Sequence, residues 1–126
     1  MLMRCVAFVG LSALTGALSA SPAPSSAGTL NVPAIPLNAT LVRDYLCKGG
    51  ESFKVTYYNG SGQSFALLPV KGKPMLFVDT LAASGVKYVA GPYVWWTKGD
   101  SGDLYDMMAG PDAAPVIAGC SAASAR

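Results

Sequence analysis

From residue 41 onward the chain breaks into short runs of β-favouring residues, each closed by Gly, Pro, Asn or Asp. The runs are residues 41–47, 53–59, 64–70, 75–80, 87–90, 93–98, 104–108 and 115–119. No apolar pattern of helical period lasts beyond two turns, so helices are excluded as the organising element. Alternation is clearest at Phe53, Val55 and Tyr57, which would share one face, with Lys54, Thr56 and Tyr58 on the other. Asn59-Gly60 and Lys71-Gly72-Lys73-Pro74 read as turns between neighbouring strands. Runs spaced about ten residues apart predict an antiparallel meander. Closing it into a small barrel or sandwich of about eight strands removes most exposed edges. A barrel this small fills itself with its own side chains, which argues against a large ligand cavity. The Ala/Pro-rich residues 109–118 are poor strand material, so the last strand should be the weakest.

The termini read differently. Residues 1–20 have the pattern of a secretory signal: Arg4, an apolar run, then Ala17-Leu18-Ser19-Ala20 with a cleavage site near Ala20. A membrane span is disfavoured because the run is short and interrupted by Gly, Ser and Thr. Cys5 stands at the start of the apolar run, not at its end where a lipid-attachment cysteine belongs. The protein is therefore expected in the periplasm or secreted, with no stable span after cleavage. Residues 21–40 read as a flexible Pro/Ser/Ala-rich tether, 41–120 as the folded domain and 121–126 as a small polar tail. Cleavage takes one of nine basic residues and leaves eight against seven acidic ones. Cys47 and Cys120 then remain, and in an oxidising compartment they should pair; two free buried thiols are the alternative.

Composition removes several classes of function. There are no histidines, which excludes Ser-His-Asp and Cys-His catalysis and His metal sites together. Three cysteines are too few for a Cys-only zinc site. A net charge of +2 without any Lys/Arg cluster does not suit nucleic-acid binding. No cofactor is expected. Asp100, Asp103 and Asp106 surround Gly102, but they recur every third residue and lack the closing Glu of a calcium loop. Glu51 and Asp79 are the right residue types for glycoside hydrolysis, yet nothing in the sequence brings them together. Asn38-Ala39-Thr40 and Asn59-Gly60-Ser61 are sequons that matter only in a eukaryotic secretory pathway.

One segment concentrates recognition chemistry. Ser84-Gly85-Val86-Lys87-Tyr88 is followed by Tyr93-Val94-Trp95-Trp96-Thr97-Lys98-Gly99-Asp100, with Gly91-Pro92 as a tight turn between. The corners Ser84-Gly85 and Lys98-Gly99 then fall at the same end of a hairpin. They present a hydroxyl and a cation beside large rings, or else they are the ordinary end of a hairpin with Lys98 in solvent.

Ser84-Gly85-x-x-Tyr88 and Tyr93-x-x-x-Thr97-Lys98-Gly99 resemble the paired SGxxY and YxxxTKG motifs of the MliC/PliC family, bacterial inhibitors of c-type lysozyme. Tyr45-Leu46-Cys47, Phe53-Lys54-Val55-Thr56-Tyr57 and Cys120 extend the resemblance over residues 41–120. It implies an eight-stranded antiparallel barrel and a non-enzymatic inhibitor whose partner is a c-type lysozyme. It further implies that Ser84 hydrogen-bonds the catalytic acid and Lys98 meets the two catalytic carboxylates. Tyr88, Tyr93 and Thr97 would support the loops, while Gly85 and Gly99 would allow close backbone approach. Lysozymes of this type are usually basic, so a chain near +1 gains little long-range steering. The competing readings are a small envelope binding module with Trp95 and Trp96 in a ligand pocket, and a structural β-barrel module. An enzyme built on a Ser84/Lys98 dyad has nothing in the sequence to activate it.

Overall fold

The computed structural model describes residues 10, 13, 16–23 and 27–123. Most of the expected signal segment, with Arg4 and Cys5, and the last three residues of the tail lie outside them. The chain divides into two units, Met1–Asn31 and Val32–Arg126. The described residues of the first carry no helix or strand. Among the described residues no helix is long and apolar enough to cross a membrane.

The second unit is a closed barrel of eight antiparallel strands in sequence order. They are β1 (Leu37–Leu46), β2 (Ser52–Gly60), β3 (Ser64–Val70), β4 (Lys73–Thr80), β5 (Val86–Ala90), β6 (Tyr93–Lys98), β7 (Ser101–Asp106) and β8 (Ile117–Ala122). A single 3-10 turn, Met107–Ala109, follows β7, with the Asp106 carboxylate accepting from the Met108 N–H. The expected strands are present, with shifted ends. β1 starts at Leu37, just after Pro36, because its first residues pair with the far end of β2 (Leu37 with Gly60, Ala39 with Asn59). β2 consequently runs through Asn59-Gly60, and the turn moves to Ser61-Gly62, where Gly62 supplies the positive φ. The Lys71-Gly72 turn is where the sequence put it, both residues having positive φ. The weak last strand does close the barrel, and it takes in Ser121 and Ala122 through their pairing with β1.

Period-two alternation decides what fills the interior. Val55 and Tyr57 of β2, Ala66 and Leu68 of β3, Phe77 of β4, Tyr88 of β5, Trp95 of β6 and Leu104 of β7 are buried. Their strand neighbours face outward. Trp95 is the largest wholly buried side chain. It meets Tyr45 edge-on at 5.1 Å and Phe53 at 5.6 Å between ring centroids. Space for it comes from Gly102, where a Cβ would stand 2.5 Å from the indole carbons. The polar atoms of the core are partnered: Trp95 Nε1 donates to Tyr57 Oη at 2.9 Å, and Tyr57 Oη shares a hydrogen bond with Tyr45 Oη at 2.8 Å.

The seam between β8 and its neighbours is short and reinforced. β1 and β8 pair only at Tyr45–Ala122 and Leu46–Ser121. The Cys47–Cys120 disulfide crosses the same seam, enclosing a 73-residue separation. In the chain-entropy picture such a loop contributes about 4 kcal/mol. The β7–β8 register slips between Gly102 and Leu104. Asp103 holds the irregularity by accepting from the Gly119 N–H at 2.7 Å.

Two expectations follow. Replacing Gly102 by Ala forces a methyl group into the Trp95 ring and should cost about 1–3 kcal/mol in denaturant unfolding, while a Gly110→Ala control at a site open to solvent should leave the indole packing untouched. The second concerns alkali. Burial pushes the Tyr57 phenol well above the ordinary tyrosine value, and it raises Tyr88 as well, helped there by the charge of Asp79. A folded pKa above the unfolded one gives stability that is complete below about pH 10 and lost as pH rises toward the folded values. The denaturation midpoint should therefore hold to about pH 9 and fall by about pH 11, with a smaller fall in Tyr57→Phe.

Candidate functional site

The β5–β6 hairpin closes at one end on Gly91-Pro92, with Ala90 paired to Tyr93. At its other end Val86 pairs with Thr97, so Ser84-Gly85 and Lys98-Gly99 emerge side by side. Gly85 is indispensable to that approach: its φ is +64°, and a Cβ there would collide with the Thr97 carbonyl oxygen and come within 2.8 Å of Lys98 Cγ. Gly99 has φ +58° and makes the turn from β6 to β7. Ser101 Oγ fixes that turn by donating to the Lys98 carbonyl at 2.8 Å. Ser84, Gly85, Lys98 and Gly99 are all exposed, so the structure gathers four of the seven expected site residues at one tip.

The other three lie elsewhere. Tyr88 is 5 % exposed and packs on Tyr57 at 5.6 Å between centroids, so it supports the tip from inside the barrel. Thr97 is also buried beneath the tip, its hydroxyl directed at the Val86 carbonyl. Tyr93 is at the opposite end of β6, roughly 16 Å along the strand from Lys98, half-buried against the core.

Trp96, which motif reading passed over, is central to the site. Alternation along β6 sends Trp95 inward and Trp96 outward. The two indoles therefore share no pocket, which overturns the ligand-pocket reading that placed them together. Trp96 pairs laterally with Lys87 on β5 and Asp103 on β7. Its ring lies 4.1 Å from Lys87 Nζ and 4.3 Å from Lys98 Nζ, centroid to ammonium. Its Nε1 donates to the Ser84 carbonyl at 2.9 Å, and its far side tilts against Tyr105 at 6.3 Å. Strict alternation was the available signal: a residue flanking a core Trp must face out, beside the lysine two positions on.

The ammonium groups of this patch are not neutralised within the chain. Among the described residues the two ion pairs are Arg43–Asp100 and Lys54–Asp44. The patch thus offers cations, a hydroxyl and an aromatic plane to an acidic partner.

The remaining acidic candidates have structural partners. Asp100 pairs with Arg43 at 2.7 Å, Asp103 holds Gly119, and Asp106 caps the 3-10 turn. Asp79 accepts from the Ser64 N–H at 3.0 Å on β4, while Glu51 sits in the β1–β2 turn against Gly49. Among the described residues no three His, Cys, Asp or Glu side chains converge as a metal site.

Comparison with known proteins gives a consistent result. Residues 45–113 match the family model described as membrane-bound lysozyme-inhibitor of c-type lysozyme. A Cupriavidus necator protein named membrane-bound lysozyme inhibitor of C-type lysozyme is 40% identical over 121 residues, which covers 96% of this chain and 94% of that one. A Pseudomonas aeruginosa protein of the same name is 44% identical over 63 residues, 49% of this chain and half of that one. Among solved structures, Pseudomonas aeruginosa MliC in complex with hen egg white lysozyme superposes with TM-score 0.62 at 33% identity, covering 79% of this chain and 98% of that one. The Salmonella typhimurium periplasmic inhibitor PliC shares the fold, with TM-score 0.56 at 22% identity over 67% of this chain and 98% of that one.

Proposed function

The chain belongs to the MliC family of lysozyme inhibitors, and on that premise we propose that it is an exported protein inhibitor of c-type lysozyme. Its working end is the paired tip of the β5–β6 hairpin. The observation that carries this reading is the convergence of Ser84 and Lys98 on one rigid, exposed corner, which Gly85 alone makes possible.

A lysozyme cleft holds two carboxylates in a partly desolvated groove, one of them with a raised pKa. Such a groove suits an inhibitor that brings one ammonium and one hydroxyl at fixed spacing. Lys98 would lie against the carboxylates, and Ser84 would hydrogen-bond the acid. Charge-assisted contacts of this kind exceed an exposed ion pair in strength, provided the geometry offsets desolvation. Tyr88 and Thr97 hold the tip from beneath. Residues 1–20 would direct export and be removed near Ala20, residues 21–40 would tether the barrel, and the protein would act in the periplasm or outside the cell.

A cell-wall lysis assay tests the proposal, with c-type lysozyme as the target and g-type lysozyme as the control. The oxidised protein should inhibit the c-type enzyme selectively. Lys98→Ala should weaken binding by about 2–5 kcal/mol, about thirtyfold or more, with the fold intact. Ser84→Ala should cost about 1.5–3 kcal/mol if its hydroxyl meets a charged carboxylate. Equal inhibition by the wild type and both variants would sink the assignment of the tip, and no inhibition by a folded sample would sink the function.

A further inference from the structure

A lysine and a serine on neighbouring loops make a useful pair only if their spacing is held before the partner arrives. Lys98 ends β6 and Ser84 precedes β5, so the strand ladder fixes their backbones only as far as the Val86–Thr97 pair. Beyond that pair one side chain reaches both. Trp96 Nε1 donates to the Ser84 carbonyl at 2.9 Å, and the same ring carries Lys98 Nζ at 4.3 Å. The indole itself is held by its place in the β5–β6–β7 ladder and by Tyr105. Ser84 is fully on the outside, and a hydrogen bond from a ring locked in a sheet is a stronger restraint than its own turn supplies.

We propose that Trp96 is a positioning residue for the inhibitory tip, an inference that rests on the inhibitor reading. Its N–H pins the serine loop, and its π-face holds the Lys98 ammonium above the ring. Both loops are thereby ordered in the free protein, and the entropy cost of ordering them on binding falls. A cation above an indole is also partly desolvated before it meets the carboxylates. Lys87 shares the ring at 4.1 Å, so the indole stays covered when Lys98 turns to a partner.

Two substitutions separate the contributions. Trp96→Phe keeps a π-face and removes the N–H, whereas Trp96→Leu removes both. Affinity for a c-type lysozyme should fall about tenfold in Trp96→Leu, from one hydrogen bond and one exposed cation–π contact, with Trp96→Phe in between. In a Lys98→Ala background the Leu substitution should cost less than it does alone, because the cation it serves is gone. A readout in the free protein stands apart from inhibition. NMR should show the Lys98 and Lys87 ε-methylene protons shifted upfield by the ring in the wild type and returned to ordinary values in Trp96→Leu. Backbone order at Ser84 and Gly85 should fall in both variants. If the wild type does not bind lysozyme, the inhibitor reading fails, and the NMR result alone decides whether Trp96 orders the tip. Unchanged loop order, or unchanged affinity in a folded Trp96→Leu protein, overturns the inference.

Discussion

An indole lying against a glycine sets the geometry of this barrel. Trp95 is wholly buried, and the carbon atoms of its six-membered ring occupy the volume that any side chain at Gly102 would need. Eight short strands enclose a space that side chains must fill, and one bicyclic ring does much of that filling. The ring brings a polar atom with it. An unpartnered indole N–H in this core would cost about 1–3 kcal/mol. Tyr57 accepts that hydrogen bond and passes the network on to Tyr45, so the three largest polar aromatic groups of the core satisfy one another. Since these residues come from β1, β2 and β6, the network also ties opposite walls of the barrel together.

The consequence for the surface follows from strand alternation. Fixing Trp95 inward fixes Trp96 outward and Thr97 inward, which leaves Lys98 outward. The cationic tip is therefore mounted directly on the most rigid side chain in the molecule. Tyr88 repeats the arrangement on β5, packing on Tyr57 beneath the serine loop. A protein inhibitor gains from such stiffness, because binding energy is not spent on ordering loops. Short-range chemistry carries more weight here than long-range attraction: with eight basic residues against seven acidic ones after loss of Arg4, the chain offers little electrostatic steering.

Much of this was legible from the residues, and the parts that were not have physical reasons. The strands, the alternation over residues 53–58 and the hairpin at Gly91-Pro92 follow from local pattern, since sheet faces and two-residue turns are written in adjacent positions. The early start of β1 and the displaced turn at Ser61-Gly62 were hidden because each depends on pairing with a distant segment. The last strand looked too rich in Ala and Pro, yet it needs only a few residues, and Asp103, Cys47 and β1 secure it from outside its own sequence. At the site, the motifs named the glycine corners and the lysine. They did not name Trp96, whose role appears only when Ser84 and Lys98 are folded onto the same ring.

The seam where the barrel closes links fold to compartment. Only two residue pairs join β1 to β8, supplemented by the hydrogen bonds of the Lys48 and Ala123 amides to Ala118 and Asp44. The Arg43–Asp100 ion pair also bridges this side, but Asp100 is largely exposed and such a pair contributes at most about 1 kcal/mol. The disulfide is the largest single restraint there, at about 4 kcal/mol against a total stability of roughly 5–15 kcal/mol for a small domain. Without it, the strand built from the poorest β-formers would be held by the least ladder. A barrel that closes on a disulfide at its weakest seam is suited to a compartment where thiols are oxidised, and that is where a protein directed at a wall-cleaving enzyme must work.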